Sequence, residues 1–277
     1  MKTLYTFALT MIFCLAAGTL AMASTLDDFK GQKGTLNIAG GTAHIPVMKA
    51  AARSIMTANP DIRITVTGGG SGVGVQQVGE GLVDIGNTGR ALKETEVEKY
   101  GLQTFPFAID GVAVVVHTEN VVKALSKEQL IKIFAGEIAN WKEVGGVDAP
   151  ITLYVREDGS GTRETFEERA LNKATPTSKS NVASSNGAMK TMVSQDKNSI
   201  GYVSIGHLDN SLQGIAIDGM EPSQENAQNG QYTVTRLLYM NTKGEPAGLL
   251  RLFIDYIYSE DGKKFISDAG YIPAPRQ

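Results

Sequence analysis

The 277-residue chain has one cysteine, Cys14, and it lies inside the mostly apolar stretch from Leu4 to Leu20. Met1-Lys2 ahead of that stretch and Ala21-Met22-Ala23 behind it complete the pattern of a secretory signal peptide, residues 1–23, cleaved before Ser24. A membrane anchor would need about 20 apolar residues, and Thr6, Thr10, Gly18 and Thr19 interrupt this run. Phe13, just before the cysteine, is too bulky for a lipoprotein cleavage site. The chain beyond residue 23 therefore carries no cysteine, which excludes disulfides, thiolate metal sites and a cysteine nucleophile. A net positive charge is lacking as well. The formal net charge is −3, and loss of Lys2 with the leader leaves −4. Such a balance argues against a nucleic-acid partner, which calls for a basic stripe. Histidine is rare: His44, His117 and His207 are scattered without the short spacing of metal ligands, so no metal site is expected. They read as structural or surface residues, with His44 alone next to a candidate loop. The single tryptophan, Trp141, and Lys142 beside it read as packing residues.

Catalytic motifs are missing too. A nucleophile elbow needs G-x-S-x-G, whereas Gly69-Gly70-Ser71-Gly72 runs on into Val73, and Asp158 stands two positions before Ser160. There is no G-K-[ST] phosphate cradle. Neither an enzyme nor a cofactor is implied.

What is present is an α/β alternation with 42% apolar and 20% charged residues, the balance of a water-soluble globular chain. Strands are predicted at 35–39 and 62–67, with helices at 47–58 and 73–82. Asn59-Pro60 ends the first helix, because the residue before proline avoids helical dihedrals. The run Gly111 to Val116 is too apolar to face water and predicts a buried strand. Ser126-Lys127-Glu128-Gln129 has capping-box spacing, with Gly136 as the stop of that helix. Further strands are expected at 151–155 and 200–203, with helices at 163–171, in 184–193 with Ser185 or Asn186 as cap, and at 248–259.

Three segments share one design. Gly40-Gly41-Thr42-Ala43, Gly68-Gly69-Gly70-Ser71-Gly72 and Asp158-Gly159-Ser160-Gly161-Thr162 each place glycine and a hydroxyl between a strand and a helix. The first N–H groups of a helix lack internal partners and carry partial positive charge, so an anion can occupy them. Thr42, Ser71, Ser160 and Thr162 can add hydroxyl donors, and Arg156 a guanidinium fork suited to two oxygens. One such loop alone is an ordinary helix cap. Three together, with an arginine, point to a small tetrahedral oxyanion.

The sequence resembles the periplasmic phosphate-binding proteins of ABC transporters, the PstS family, over nearly the whole chain beyond residue 23. The matching segments are Arg156-Glu157-Asp158-Gly159-Ser160-Gly161-Thr162, Phe134 through Gly146, and Ile200-Gly201-Tyr202-Val203. The resemblance implies a type II periplasmic-binding-protein fold, two α/β lobes joined by two crossing strands and closing over one dehydrated phosphate. It implies a ligand set of Thr42, the Ala43 backbone, Ser71, Arg156, Ser160, Gly161 and Thr162. It implies permease subunits of an ABC importer as partners, a periplasmic location and a monomer. Residues 24–109 and 212–277 would form one lobe and residues 110–211 the other.

One position departs from the family. Its better-known members carry an aspartate where this chain has Gly89, and that carboxylate accepts the proton of hydrogen phosphate. A buried acceptor welcomes a protonated oxyanion and repels an unprotonated one such as sulfate. Asp110, where the chain crosses between lobes, is a candidate replacement, with a turn or strand-end cap as its other reading. Thr88 is a further candidate. Arg90 is read either as a second cation at the ligand or as a lobe-surface ion pair. Sulfate, molybdate, tungstate and arsenate remain open as alternative ligands, and an adhesive or signalling role on the same scaffold is a third possibility.

Overall fold

The computed structural model describes residues 25–276. The predicted signal peptide lies outside them. Among the described residues no helix is long and apolar enough to cross a membrane.

The alternation appears in the expected order. Strand β1 (Gly34–Gly40) leads through a 3-10 turn, Thr42–His44, into α1 (Ile45–Ala58), with Pro46 tolerated in its first turn. The strand β2 (Ile62–Gly69) feeds α2 (Gly70–Gly79), followed by β3 (Ile85–Thr88) and α3 (Glu94–Tyr100). The predicted buried strand is the second half of a 15-residue strand, β4 (Leu102–Val116). After the short β5 (Ala124–Leu125), the capping box forms as predicted on α4 (Lys127–Ala135): Gln129 N–H donates to Ser126 Oγ at 3.1 Å, and Gly136 ends the helix with φ 81°. Next come β6 (Thr152–Arg156) and α5 (Gly161–Thr165), which runs on as a π-helical turn, Phe166–Ala170. Then follow β7 (Asn181–Ala183), α6 (Asn186–Gln195) and β8 (Ser199–Ser204). The chain closes with β9 (Gln213–Gly214), β10 (Ala216–Ile217), α7 (Gln224–Gln228), β11 (Thr235–Lys243), α8 (Gly248–Ile257), α9 (Glu260–Asp268) and β12 (Ile272–Pro273).

One continuous path of strands, β2-β1-β3-β11-β4-β8-β6-β7, ties the molecule together. Its ends are parallel, and its middle, β3-β11-β4-β8, is antiparallel. Two large apolar cores lie along it, beside a smaller cluster of Val75, Val78 and Leu102. The first gathers α1, α8 and the inner faces of β1 and β3 around Ile38, Val47, Ile55, Ile85, Phe107 and Phe253. The second gathers Val112 to Val116, Leu130, Phe134, Trp141, Phe166 and Tyr202. Within it the Phe166 ring stacks on Tyr202 with centroids 4.0 Å apart. Trp141 packs there too, and its Nε1–H donates to Asn198 O at 2.9 Å.

The chain passes between the cores twice. In β4, Phe107 and Ala108 belong to the first core and Val112 to the second; in β11, Leu238 belongs to the first, while Val234 just before the strand belongs to the second. These two segments pair antiparallel, Ile109 with Leu237, Asp110 with Arg236, and Gly111 with Thr235. The mixed α/β, two-lobed fold is therefore the one expected, but the return crossing falls later in the chain than residue 212. Leu212, Ile215, Ile217, Tyr232 and Val234 all pack in the second core. The physical reason is that β9 pairs with β4 and β10 with β5, which holds that segment on the second lobe. The strand β11 and the helix α9 had no counterpart in the sequence reading.

Helix α2 lies unusually close to β3. A Cβ added to Gly86 would stand 2.2 Å from the Gly74 carbonyl oxygen and 2.5 Å from Val78 Cγ1. This approach fixes where Ser71, in the first turn of α2, stands relative to the end of β3. We expect Gly86→Ala to cost about 1–3 kcal/mol through overpacking, measured by urea unfolding followed on Trp141 fluorescence. A loss below about 0.5 kcal/mol would show that α2 can move away freely.

Candidate functional site

The three glycine loops converge. Gly41, Thr42, Ala43, His44, Gly70, Ser71, Gly89, Arg156, Ser160, Gly161, Thr162 and Arg236 line one small cavity at the crossing of the strands. The ends of β1, β2 and β6 bring their loops to it, and the first turns of α1, α2 and α5 lead away from it. Every residue of the predicted ligand set is in the wall, and Thr42, Ser71, Arg156, Ser160 and Thr162 are all buried.

The hydroxyls have a shared hydrogen-bond state. Thr42 Oγ1 accepts from the Asn186 backbone N–H at 3.2 Å and from Asn186 Nδ2 at 3.0 Å. Ser71 Oγ accepts from Gly89 N–H at 3.0 Å, Ser160 Oγ from Arg163 N–H at 3.3 Å, and Thr162 Oγ1 from Arg236 Nη2 at 3.0 Å. A hydroxyl has one proton to give, and here each of these oxygens already accepts at least one protein N–H. All four O–H bonds are left as donors. The N–H groups of Gly161 and Thr162, first in their helix, are of the kind without an internal partner.

Two guanidinium groups complete the wall. Arg156 is held from behind: its Nε donates to Glu157 Oε2 at 2.8 Å and to Ala183 O at 3.1 Å, and its Nη2 to Glu157 Oε1 at 2.7 Å. Its Nη1 is buried with no hydrogen-bond partner. A buried N–H left unpaired is costly, and an anion in the cavity would supply the missing acceptor. Arg236, which the sequence reading missed, donates through Nε and Nη2 to Asp110 Oδ2 at 2.9 and 2.7 Å. Neither carboxylate partner, Glu157 or Asp110, is part of the wall. The cavity thus meets two cations whose counter-charges stand behind them.

The three further candidates lie elsewhere. Asp110 is buried behind Arg236, with Oδ2 committed to that arginine and Oδ1 accepting from Ser204 Oγ at 2.8 Å. Burial pushes its carboxyl above the ordinary value, and the Arg236 guanidinium and the Ser204 hydroxyl pull it back. It is the cross-strand partner of Arg236 and is not part of the cavity wall. Thr88 Oγ1 donates to Arg90 O at 2.9 Å and accepts from Asn241 Nδ2 at 3.0 Å, away from the cavity. Arg90 follows the ion-pair reading: it binds Glu96 and, from the other lobe, Glu164, each at 2.8 Å. Arg236 has a sequence signal only in hindsight, because its place opposite Asp110 depends on the β4–β11 register.

Gly89 has a structural explanation. A Cβ there would stand 2.6 Å from Arg236 Nη1, so the arginine takes the space of a side chain at position 89. Among the described residues no group of three or more His, Cys, Asp or Glu could hold a metal ion.

Fold and cavity together define a solute-binding protein: two lobes, a double strand crossing, and a cleft of inward-pointing donors between them. A family model described as PBP superfamily domain matches residues 30–261. The phosphate-binding protein PstS of Bacillus subtilis is 41% identical over 256 residues, covering 90% of this chain and 85% of that protein. Among solved structures, a Clostridium perfringens protein crystallised with bound phosphate and assigned as a phosphate ABC transporter substrate-binding protein is 36% identical with a TM-score of 0.82; the match covers 87% of this chain and all of that one. An ABC-type phosphate transport receptor of Vibrio cholerae is 34% identical with a TM-score of 0.69, at the same two coverages. The chain belongs to the PBP superfamily and, within it, to the family of the phosphate-binding protein PstS.

Two histidines near the cleft give a pH signature. His207 Nε2 lies 3.3 Å from Thr42 O, and His44 is wholly buried. Desolvation lowers the two ring pKa values from 6.5 to about 4 and about 3. Below 6.5 the unfolded chain takes up protons at these rings and the folded chain does not. Their contribution to stability is fully present above pH 6.5 and is lost progressively as pH falls from 6.5 to about 4 for His207 and to about 3 for His44. Each contributes a slope of up to about 1.4 kcal/mol per pH unit in that window. Urea unfolding at pH 7 and pH 5 should therefore show His207→Gln losing about 2 kcal/mol less than the parent over that interval. Equal losses would contradict the assignment.

Proposed function

We propose that this chain captures inorganic phosphate outside the cytoplasm and delivers it to the permease subunits of an ABC importer by closing its two lobes on the anion. The observation that carries this reading is the set of four hydroxyls whose oxygens are already occupied by N–H donors, facing one cavity with the unpartnered Nη1 of Arg156. Such a wall offers hydrogen atoms from almost every side, which suits a small, dehydrated, oxygen-rich anion. Thr42, Ala43, Ser71, Arg156, Ser160, Gly161 and Thr162 form the ligand set, and Arg236 adds a second cation.

Hydrogen bonds across the cleft fit lobe closure. Gly72 N–H donates to Gly159 O at 3.0 Å, Asn186 Nδ2 to Thr42 Oγ1 at 3.0 Å, and Arg90 pairs with Glu164. Residues 25–109 and 235–276 form one moving body and residues 110–234 the other, with the Asp110–Arg236 strand pair as the hinge. Binding without catalysis is the reading the relatives support, since similar proteins are named as phosphate-binding and transport proteins. The leader pattern of residues 1–23 supports a periplasmic location, and a monomer is the expected state.

A second reading, another tetrahedral oxyanion such as sulfate, molybdate, tungstate or arsenate, draws on Gly89 and the absence of a carboxylate in the wall. Calorimetric titration of the protein beyond its leader with phosphate, using sulfate and molybdate as competitors, separates the two. Phosphate should bind in the micromolar range or tighter and resist displacement by either competitor. Arg156→Ala should weaken phosphate binding by about 100-fold or more, since a dehydrated anion loses its guanidinium and Glu157 loses its partner. An affinity within about twofold of the parent would remove Arg156 from the site.

A further inference from the structure

One polar atom of the wall does not fit the pattern of donors. His44 ends the 3-10 turn ahead of α1, is fully buried, and lines the cavity beside Gly41, Thr42 and Ala43. Its Nε2 lies 3.1 Å from the Thr88 carbonyl oxygen. A carbonyl can only accept, so this bond assigns the ring proton to Nε2, and in that tautomer Nδ1 is a bare lone pair. That Nδ1 is buried with no hydrogen-bond partner. It lies on the side of Gly41, another wall residue, where an added Cβ would stand 2.6 Å from it.

Quenching the lone pair by protonation is unfavourable. Burial first, and the Arg236 guanidinium second, lower the ring pKa to about 3, so the imidazole is neutral. No other side chain in the wall is an acceptor without a proton of its own to place. Each of the four hydroxyl oxygens already accepts an N–H and still has its O–H to donate, the two arginines only donate, and Asp110 is committed to Arg236 and Ser204. Asn87 Oδ1 is also buried and unpartnered, but Asn87 is not part of the wall. Nor can position 89 supply an acceptor while Arg236 occupies its space.

A wall in which His44 Nδ1 is the one side-chain atom that can only accept, among many donors, fits an oxyanion that itself carries one proton. Hydrogen phosphate has that proton and sulfate does not; a sulfate oxygen would press its lone pairs against that of the imidazole. Building on the oxyanion reading above, we propose that His44 Nδ1 accepts the hydrogen bond from the protonated oxygen of bound phosphate and is the residue that sets phosphate above unprotonated tetrahedral anions.

Phosphate and sulfate affinities should be measured by calorimetry at neutral pH for the parent and for His44→Phe, which keeps a ring and removes both nitrogens. The ratio of the two affinities should fall by about 10- to 100-fold in the variant; a ratio within about twofold of the parent overturns the proposal. Should His44→Phe fail to fold, the ring ¹⁵N resonances of His44 in the intact protein decide the matter. An unprotonated Nδ1 signal that moves upfield on saturation with phosphate supports the proposal, and a signal that phosphate leaves in place overturns it. A parent protein that binds sulfate as tightly as phosphate sinks this proposal while the oxyanion site stands. A parent that binds neither removes the site itself, and the role of His44 with it.

Discussion

The pairing of Asp110 with Arg236 at the strand crossing is the interaction on which the site depends. Both side chains are buried, and two N–H groups of the guanidinium meet one carboxylate oxygen. A buried ion pair contributes little net stability, because desolvation offsets the Coulombic gain, whereas an uncompensated charge in the same place is very unfavourable. The pair therefore acts as a register constraint. It holds β4 and β11 where the chain passes between the two cores, and it carries Arg236 Nη2 to within 3.0 Å of Thr162 Oγ1 on the opposite lobe.

The same economy governs the rest of the wall. Glu157 holds Arg156 as Asp110 holds Arg236, so each cation has a partner outside the cavity and donor capacity toward it. The hydroxyls are oriented in the same manner: an N–H behind each oxygen turns its proton inward. Preorganisation of this kind matters for an anion stripped of water, because the replacement donors must already be in place when the hydration shell is lost. A site built so heavily from donors has one weakness, the proton that hydrogen phosphate brings with it. The neutral ring of His44 answers it, with Thr88 O selecting the tautomer.

Much of the fold was legible from local patterns. The capping box at Ser126, the stop at Gly136, the buried run Val112 to Val116 and the strand-to-helix glycine loops all rest on short-range chemistry that a sequence displays directly. The strand β11 was not legible. Its burial alternates between the partly buried Thr235, Leu237 and Tyr239 and the buried Arg236, Leu238 and Met240, and its place is set by pairing with β3 and β4, both distant in sequence. The return crossing near residue 235 was missed for the same reason, because β9 and β10 hold the preceding segment on the second lobe through long-range pairs.

The site divides along the same line. By itself the sequence determined the donors: glycine with a hydroxyl at three helix beginnings, and an arginine ahead of the third, have a meaning wherever they fold, because unpaired first-turn N–H groups are a property of the helix. Only the tertiary structure decided which groups oppose them. Arg236 reaches the wall through strand register, Asp110 is drawn behind it, and His44 becomes an acceptor because a carbonyl 44 residues away fixes its proton. Donor capacity is local chemistry, whereas counter-charge, tautomer and acceptor are matters of which atoms the folded chain brings together.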